Sequence, residues 1–340
     1  MRFIPKRVFF EPRALEYPFG EKIYSNIKKM GVDIQLTPSH NRVTGIPGRS
    51  PQQAYREAKR TLVVGVRKMG EFATCKPSAH YQLPLATSCP GMCEYCYLAT
   101  NLGKKPYLRI YANIEEILEK AQEYIEQGKP EITVFEGAAT SDPIPVEYLS
   151  GLLAHTIEFF ANQPKGRFRF VTKHTDIDSL LHLNHGGHTH FRFSINAETV
   201  ITRYEHNTPD LKERVEAAQK INKAGYPLGF IIAPVFYFPG WKKEYGELLE
   251  LLKKELQRTQ RDSLSFEVIT HRFTTRAKNT ITSLFPNTTL PMGEKERKFK
   301  YGQFGYGKYI YSKEIMEEMK GWFYENIEYY FPGSQVKYFV

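Results

Sequence analysis

Apolar residues recur along most of the chain in two patterns, one typical of β-strands and one typical of amphipathic helices. Short runs rich in apolar and β-branched residues recur from position 81 onward and predict β-strands. The predicted strands are Tyr81–Ala86, Ile132–Phe135, Arg167–Thr172, His190–Ile195, Leu228–Phe236 and Leu264–Ile269. Apolar residues at helical spacing lie between these runs, so the pattern predicts strands that alternate with amphipathic helices.

Start and stop signals delimit several of the helices. One is expected to begin at Asn113 and to end at Gly128. Another is expected to have Thr208 as its N-cap, Pro209 in its first turn and Gly225 just past its end. Further helices are predicted over 146–162 and 242–259.

Alternating strands and helices predict an α/β fold with a parallel sheet and right-handed crossovers. With six strands, we expect a partial (β/α)6 TIM-type barrel over residues 80–290. Chemistry in such folds lies on the loops at the carboxyl ends of the strands.

The barrel is expected to have an extension at each end. Residues 1–79 form a predicted N-terminal subdomain with a helix near 51–60 and a β-branched run, Thr61–Val66. Residues 291–340 contain glycines among aromatic residues over 300–311, which predicts a β-hairpin. A last helix is expected near 312–327.

Composition places the chain among folded proteins. Hydrophobic residues make up 41% of the sequence and charged residues 25%, which differs from disordered and collagenous chains. No apolar run reaches the length of a membrane span, and the first ten residues lack the apolar segment of a secretory signal. We therefore expect a cytoplasmic protein with no membrane partner.

The positive charge is concentrated near the N-terminus. The formal net charge is +10, and residues 1–80 contain 15 basic and 6 acidic side chains. Lys and Arg clusters bind polyanions such as nucleic acid, although a merely soluble basic surface gives the same count. Charge alone leaves both interpretations open.

The four cysteines are the most informative residues. Cys89, Cys93 and Cys96 follow a predicted strand in the spacing CxxxCxxC, and Cys75 precedes them. Three thiolates leave one iron of a 4Fe-4S cluster without a cysteine ligand, so that iron can bind another molecule. A structural zinc site, the alternative, normally closes with a fourth Cys or His. A single cysteine is more often a buried or idle thiol than a ligand, so Cys75 is not included among the site residues.

This spacing, on the loop after a first barrel strand, resembles that of the radical S-adenosylmethionine superfamily. The resemblance implies a 4Fe-4S cluster held by Cys89, Cys93 and Cys96, with S-adenosylmethionine on the open iron. One electron then splits the sulfonium and produces a 5'-deoxyadenosyl radical. So reactive a species must form beside its target and away from water.

Longer segments resemble the spore photoproduct lyase family, whose members reverse a thymine dimer of ultraviolet-irradiated spore DNA. The similar segments are Cys93–Leu98, Asn101–Asn113, Phe135–Asp142 and Val268–Thr274. The resemblance implies a lyase that splits 5-thyminyl-5,6-dihydrothymine into two thymines.

The same resemblance assigns roles to individual positions. Glu136 and Gly137 are expected to receive the methionine amine. Ser141, Lys173 and Ser194 are expected to donate hydrogen bonds to the carboxylate and ribose. Tyr95 and Tyr97 match a tyrosine pair that returns a hydrogen atom to the adenosyl radical.

One position departs from the family pattern. After hydrogen abstraction from C6 and scission of the methylene bridge, the family quenches the product radical with a cysteine thiol in the loop after the second strand. That position is Ala139 here, and no cysteine follows Cys96. The hypothesis is a donor-deficient lyase; a different donor, such as a tyrosine, is the alternative.

A stacked lesion must be flipped out of duplex DNA before a buried radical can reach it. We expect the basic N-terminal region and Arg272 to contact the damaged strand, together with Lys300, Tyr301, Tyr306 and Lys308 of the hairpin. The expected partners are ultraviolet-damaged DNA and a reducing electron donor.

Two alternatives remain open from the sequence. The first is a radical S-adenosylmethionine enzyme that acts on tRNA or another substrate. The second is a non-catalytic, metal-stabilised nucleic-acid-binding protein. Iron content and reductive cleavage of S-adenosylmethionine separate the second alternative from both enzymes.

Overall fold

The computed structural model of the protein describes residues 2–256, 264–301 and 307–340. The strands are β1 (Arg7–Phe10), β2 (Ile34–Leu36), β3 (Thr61–Gly65), β4 (Thr74–Cys75), β5 (Ala79–Gln82), β6 (Ala86–Thr87), β7 (Met92–Cys93), β8 (Leu108–Tyr111), β9 (Thr133–Glu136), β10 (Gly166–Thr172), β11 (Thr189–Ile195), β12 (Glu205–His206), β13 (Leu228–Val235), β14 (Ser265–Thr270), β15 (Lys298–Tyr301), β16 (Gly307–Ile310) and β17 (Gln335–Phe339).

The helices lie mainly between these strands. They are α1 (Pro18–Lys29), α2 (Pro51–Lys59), α3 (Leu98–Asn101), α4 (Ile114–Gly128), α5 (Ile144–Ser150), α6 (Leu152–Ala161), α7 (Glu198–Tyr204), α8 (Leu211–Lys223), α9 (Trp241–Glu255), α10 (Thr275–Leu284) and α11 (Lys313–Tyr330). In the part of the chain that is described, no helix is long and apolar enough to cross a bilayer.

The main sheet confirms the predicted fold class. Hydrogen bonds connect its strands in the order β17-β14-β13-β11-β10-β9-β5-β4. The six strands predicted from the hydrophobic pattern correspond to β5, β9, β10, β11, β13 and β14, which are consecutive neighbours in this order. The chain is therefore α/β, with the strand order of a partial (β/α)6 TIM-type barrel.

A second sheet, in the order β2-β1-β3-β8-β6, lies within the N-terminal part of the chain. Its first four strands are parallel, and β6 pairs antiparallel with β8. The core strand β3 is buried at every position. This sheet incorporates 86–87 and 108–111, which the sequence pattern did not assign to it.

Contacts divide the chain into two compact units. The first contains Met1–Gly91 and Leu102–Phe191, and the second contains Met92–Asn101 and Arg192–Val340. The boundaries 1–79, 80–290 and 291–340 stay a prediction.

Several predicted elements differ from those observed. The strand predicted over Tyr81–Ala86 ends at Gln82, because Ala86 and Thr87 leave that sheet to pair with β8. A separate strand, β6, therefore precedes the cysteine loop, residues 89–96, which contains Cys89, Cys93 and Cys96. The short tail after the last helix, for which the sequence pattern predicted no element, forms β17 and pairs in parallel with β14.

The predicted cap of α8 was wrong. Asp210, not Thr208, is the N-cap, because its carboxylate accepts the amide of Glu213 and the Glu213 side chain accepts the amide of Asp210. This reciprocal pair satisfies two amide donors that would otherwise lack partners at the helix start. Thr208 instead donates its hydroxyl to the carbonyl of Glu205.

The helix predicted over 146–162 is broken in two. Gly151 has a φ of 69°, a left-handed conformation that glycine adopts at low cost, and it separates α5 from α6. The Glu147 carboxylate accepts the amides of Leu153 at 2.7 Å and Ala154 at 3.1 Å, and thereby caps α6. Burial raises the pKa of Glu147 to about 7.

The raised pKa predicts a pH-dependent stability. The folded protein retains a proton on Glu147 that the unfolded chain releases near pH 4.5, so the free energy of unfolding falls as the pH rises from there through about 7. In the wild type, the free energy of unfolding should therefore fall between pH 5 and pH 8. We expect Glu147→Gln to reduce this fall by up to about 3 kcal/mol. Urea denaturation at the two pH values measures the effect.

The exposed Glu119 provides the control. Glu119→Gln should leave the pH dependence of the wild-type protein unchanged. An equal pH dependence in Glu147→Gln and the wild type would contradict the assignment.

Candidate active site

The carboxyl end of β9 holds the predicted amine-binding residues. Glu136 is 3% exposed, and its carboxylate accepts the Ser78 hydroxyl at 2.8 Å and the Ala138 amide at 3.2 Å. Arg169 Nε lies 3.8 Å from the same carboxylate. A buried carboxylate with these donors and a nearby cation is held in one orientation.

Gly137 is a glycine because of close packing. A Cβ atom at this position would lie 2.6 Å from the Phe168 ring. The absence of a side chain lets the β9 end approach β10, and the Gly137 amide donates to the Arg169 carbonyl at 2.8 Å.

A backbone connection places Cys89 beside the same strand end. The Ser88 amide donates to the Thr140 carbonyl at 2.7 Å, and the Asp142 amide donates to the Ser88 carbonyl at 3.3 Å. Ser88 also forms a parallel bridge with Ser141. The first cysteine of the triplet is therefore held next to the loop that contains Ala139 and Ser141.

Cys89 belongs to a compact group with two polar side chains that sequence analysis missed. The ligand atoms of Cys89, Asp142 and His174 all lie within 4.8 Å of one another. His174 Nε2 is 3.7 Å from Cys89 Sγ, and the Gly91 amide donates to the same sulfur at 3.3 Å. Both missed residues are sequence neighbours of predicted site residues, which is the signal that could have found them.

Asp142 organises the end of β10. Its carboxylate accepts the Thr172 hydroxyl at 2.9 Å and the Lys173 amide at 2.9 Å. Burial nevertheless raises the pKa of Asp142 to about 6, because the loss of solvation outweighs these hydrogen bonds. Lys173, one of the predicted carboxylate or ribose donors, is half-buried at this strand end.

The rest of the cysteine loop belongs to the second unit. Cys93 is 6% exposed and pairs with Glu205 in the short β7–β12 ladder. The Glu94 carboxylate contacts His206 Nε2 at 2.8 Å and also accepts the Thr288 hydroxyl. These contacts fix the segment that contains Cys93 and Cys96.

Tyr95 is anchored by a buried ion pair. Its hydroxyl donates to Glu205, and Glu205 is paired with Arg214 at 2.6 Å, where both charged side chains are fully buried. Burial of the hydroxyl, followed by the Glu205 charge, raises the pKa of Tyr95 well above its ordinary value. The second predicted relay residue, Tyr97, is 55% exposed.

Arg214 connects this group to the predicted donor on β11. Its Nη1 atom donates to the Ser194 carbonyl at 3.0 Å, and Ser194 is 8% exposed. The sequence pattern gave no sign of this role, because Arg214 lies on α8 as one charged residue among many.

Three of the predicted DNA-contacting cations lie on or near the hairpin. Lys300 and Lys308 are directly opposite each other in the β15–β16 ladder. Partial burial lowers the pKa of Lys308, and the charges of Arg272 and Lys300 lower it further, so the three cations are close neighbours. Tyr301 is 74% exposed, and Tyr306 lies outside the described residues.

The donor chemistry of the loop fits an iron-sulfur cluster. Three thiols occur within eight residues, one of them beside the polar strand ends of β9 and β10. The Gly91 amide already donates to a cysteine sulfur, as amides around cluster thiolates do.

Comparison with known proteins then decides the family. The family model described as spore photoproduct lyase matches residues 3–340. The chain belongs to the spore photoproduct lyase family. The family consists of radical S-adenosylmethionine lyases that use a 4Fe-4S cluster and S-adenosylmethionine, so the predicted enzyme class and cofactors are confirmed.

Curated relatives agree over the full length. The chain is 52% identical to spore photoproduct lyase of Clostridium acetobutylicum over 335 residues, which covers 98% of each chain. It is 46% identical to that of Bacillus subtilis over 338 residues, with 99% of each covered.

Solved structures of spore photoproduct lyase agree as well. One, complexed with dinucleoside spore photoproduct, has a TM-score of 0.98 and 46% identity. Another, a mutant with a cysteine replaced by alanine and a serine replaced by cysteine, has bound AdoMet and dinucleoside spore photoproduct, a TM-score of 0.98 and 47% identity. Both comparisons cover 100% of each chain.

The buried Arg214–Glu205 pair generates a stability prediction. Arg214→Met leaves the Glu205 carboxylate buried without its cation, so we expect the apoprotein to lose about 3–5 kcal/mol of unfolding free energy. The Glu94 amide donates to the Tyr204 carbonyl at 2.9 Å. Its hydrogen exchange should become faster, because the Arg214–Glu205 pair that anchors the neighbouring Tyr95 is lost.

Two variants complete this test. Arg214→Met/Glu205→Gln should recover part of the loss, since no uncompensated charge remains. Lys212→Met removes the exposed ion pair between Lys212 and Glu216, whose charged atoms are 3.9 Å apart. The free energy of unfolding should change by less than about 1 kcal/mol. A loss in Arg214→Met as small as that of Lys212→Met would contradict the prediction.

Proposed function

We propose that this chain repairs spore photoproduct in ultraviolet-damaged DNA. The observation that carries the proposal is the position of Cys89, the first cysteine of the CxxxCxxC spacing, beside the polar ends of β9 and β10 in a chain that matches the family over 3–340. The relative that was solved with dinucleoside spore photoproduct supports the same substrate. A DNA substrate is consistent with the expected cytoplasmic location, and a reducing partner supplies the electron.

Three cysteines would hold the cluster, namely Cys89, Cys93 and Cys96. When bound, the cluster and S-adenosylmethionine supply a 5'-deoxyadenosyl radical that abstracts hydrogen from the lesion. Glu136 and Gly137 receive the methionine ammonium. The carboxylate supplies the opposite charge, and Gly137 permits the close packing against Phe168 that holds this strand end in place. Ser141, Lys173 and Ser194 provide donors for the carboxylate and ribose.

The low exposure of these positions supports radical chemistry. Glu136, Ser141 and Ser194 are each at most 8% exposed, so bulk water has little access to these positions. Tyr95, fixed by Glu205, and Tyr97 are proposed to return a hydrogen atom to the adenosyl group.

The source of the quenching hydrogen atom needs a separate assignment. Ala139 offers only C–H bonds, which are stronger than the S–H bond of a thiol. Ala139 and Ala73 line the same cavity of about 70 Å³. Cys75 lies two residues beyond Ala73, on the β4–β5 hairpin, so this hairpin carries a thiol.

Hydrogen bonds attach this hairpin to the β9 end. Gln82 of β5 is in register with Glu136, and the Gln82 amide donates to the Ala73 carbonyl at 2.8 Å. Ser78, within the hairpin, donates to Glu136. We propose that Cys75 supplies the hydrogen atom in place of position 139.

A relative supports this exchange of positions. Its double mutant combines a cysteine-to-alanine with a serine-to-cysteine substitution, and the two positions are separated by the same number of residues as Cys75 and Ala139 here. The donor-deficient lyase predicted from Ala139 alone is the alternative that experiment must separate from a Cys75 donor.

Product analysis on dinucleotide spore photoproduct separates them. With a Cys75 donor, the wild-type protein forms two thymines per lesion, and Cys75→Ser lowers the thymine yield at least about tenfold, a barrier increase of about 1.4 kcal/mol. Iron content and 5'-deoxyadenosine formation should persist, because Cys75 is not a proposed cluster ligand.

Cys75→Ser/Ala139→Cys is the matched rescue and should restore thymine formation. Unchanged thymine yield in Cys75→Ser would overturn the Cys75 donor. A wild-type protein that cleaves S-adenosylmethionine without stoichiometric thymine would establish the donor-deficient alternative instead.

DNA contacts are proposed on the hairpin and the basic N-terminal region. Two lysines placed directly opposite each other repel, and a phosphate between them removes that cost. The exposed Tyr301 ring is available to brace the opened base stack, and we propose the same for Tyr306. Arg272 adds a third cation at this surface.

The salt dependence of binding tests these contacts. Lys300→Gln/Lys308→Gln should weaken binding to a duplex that contains spore photoproduct, and should lower the slope of log K against log salt by up to about 2, since each phosphate contact contributes about 0.9. Lys212→Gln/Lys243→Gln removes two exposed charges elsewhere in the chain and should leave the slope nearly unchanged. Equal slopes in both double variants would contradict the hairpin assignment.

A further inference from the structure

Lys59, the last residue of α2, is a buried cation. The residue is only 2% exposed and is among the largest fully buried side chains. Lysine is rarely buried to this extent without a charged partner, because transfer of an ammonium group out of water is costly. The position therefore requires an electrostatic explanation.

The described residues provide no anion for it. Lys59 Nζ donates to the Cys89 carbonyl at 2.8 Å and lies 5.3 Å from the centroid of the Tyr55 ring. Across the described ranges, no carboxylate lies within ion-pair distance of Lys59. The nearby Glu57 is paired with Arg7 and with Lys6 at 3.7 Å.

The carbonyl that Lys59 binds belongs to a proposed cluster ligand. A 4Fe-4S cluster held by three thiolates carries net negative charge, and reduction adds one more negative charge. A cation in a low-dielectric surrounding stabilises such charge more strongly than one in water does. The cluster would thus supply the counter-charge that no described carboxylate supplies.

We infer that Lys59 is the positioning cation of the cluster site: it fixes the Cys89 backbone and balances the charge of the reduced cluster. This inference rests on the proposed function, because it requires a cluster at Cys89, Cys93 and Cys96. It assigns part of the redox control to α2, which lies outside the predicted barrel.

The test compares apoprotein with cluster-loaded protein. Lys59→Met removes the buried charge, so the apoprotein should unfold at the same or a higher temperature than the wild type. After anaerobic loading, the same variant should have a more negative midpoint potential by redox titration and should lose its cluster several-fold faster to a chelator. Lys59→Arg keeps the charge and should retain the wild-type potential.

Lys105 offers a matched control. Its Nζ atom also donates to a backbone carbonyl, that of Ile46, at 2.6 Å. Lys105→Met should leave the midpoint potential and the rate of cluster loss unchanged.

The outcomes separate this inference from the proposed function. An unchanged potential in cluster-loaded Lys59→Met, or equal destabilisation of its apo and loaded forms, would overturn the role of Lys59 and leave the lyase proposal intact. Failure of the wild-type chain to bind iron would overturn the proposed function itself.

Discussion

The hydrogen bonds between Ser88 and the 140–142 loop are the constraint on which the first half of the site depends. They connect the start of the cysteine loop to the end of β9, although these segments are about fifty residues apart in the chain. Because Cys89 follows Ser88 directly, this connection brings a thiol beside Asp142 and His174. The 140–142 loop follows closely after Glu136 and Gly137 at the end of β9.

Two groups of buried charged residues contact the cysteine loop. Lys59 binds the Cys89 carbonyl, and the Arg214–Glu205 pair anchors Tyr95. Such groups contribute little net stability compared with apolar residues of similar size, because their desolvation is expensive. These groups instead hold side chains in fixed orientations and place charge at fixed positions. A site for one-electron transfer and a carbon radical requires both.

The proposed hydrogen donor, Cys75, lies on a different element from Ala139. Ala139 removes a thiol from the loop after β9, while the β4–β5 hairpin attached to Glu136 carries Cys75. Sequence analysis set Cys75 aside because a single cysteine is more often a buried or idle thiol than a site residue. Strand pairing places it on the hairpin beside the end of β9, and distance along the chain did not indicate this.

Features that depend on local spacing along the chain could be predicted before the structure was known. Alternating periods gave the six barrel strands to within a few residues, since side-chain direction repeats every two residues in a strand and every 3.6 in a helix. The spacing of Cys89, Cys93 and Cys96 gave the cofactor chemistry, because three thiols so close in the chain can serve one cluster.

Contacts between distant segments became evident only from the folded chain. Pairing of β6 with β8, the addition of β17 to the sheet and the Lys59–Cys89 contact join segments that share no local pattern. Each of these contacts depends on how apolar faces pack and on which buried polar groups then need a partner, and neither is encoded in the spacing of neighbouring residues.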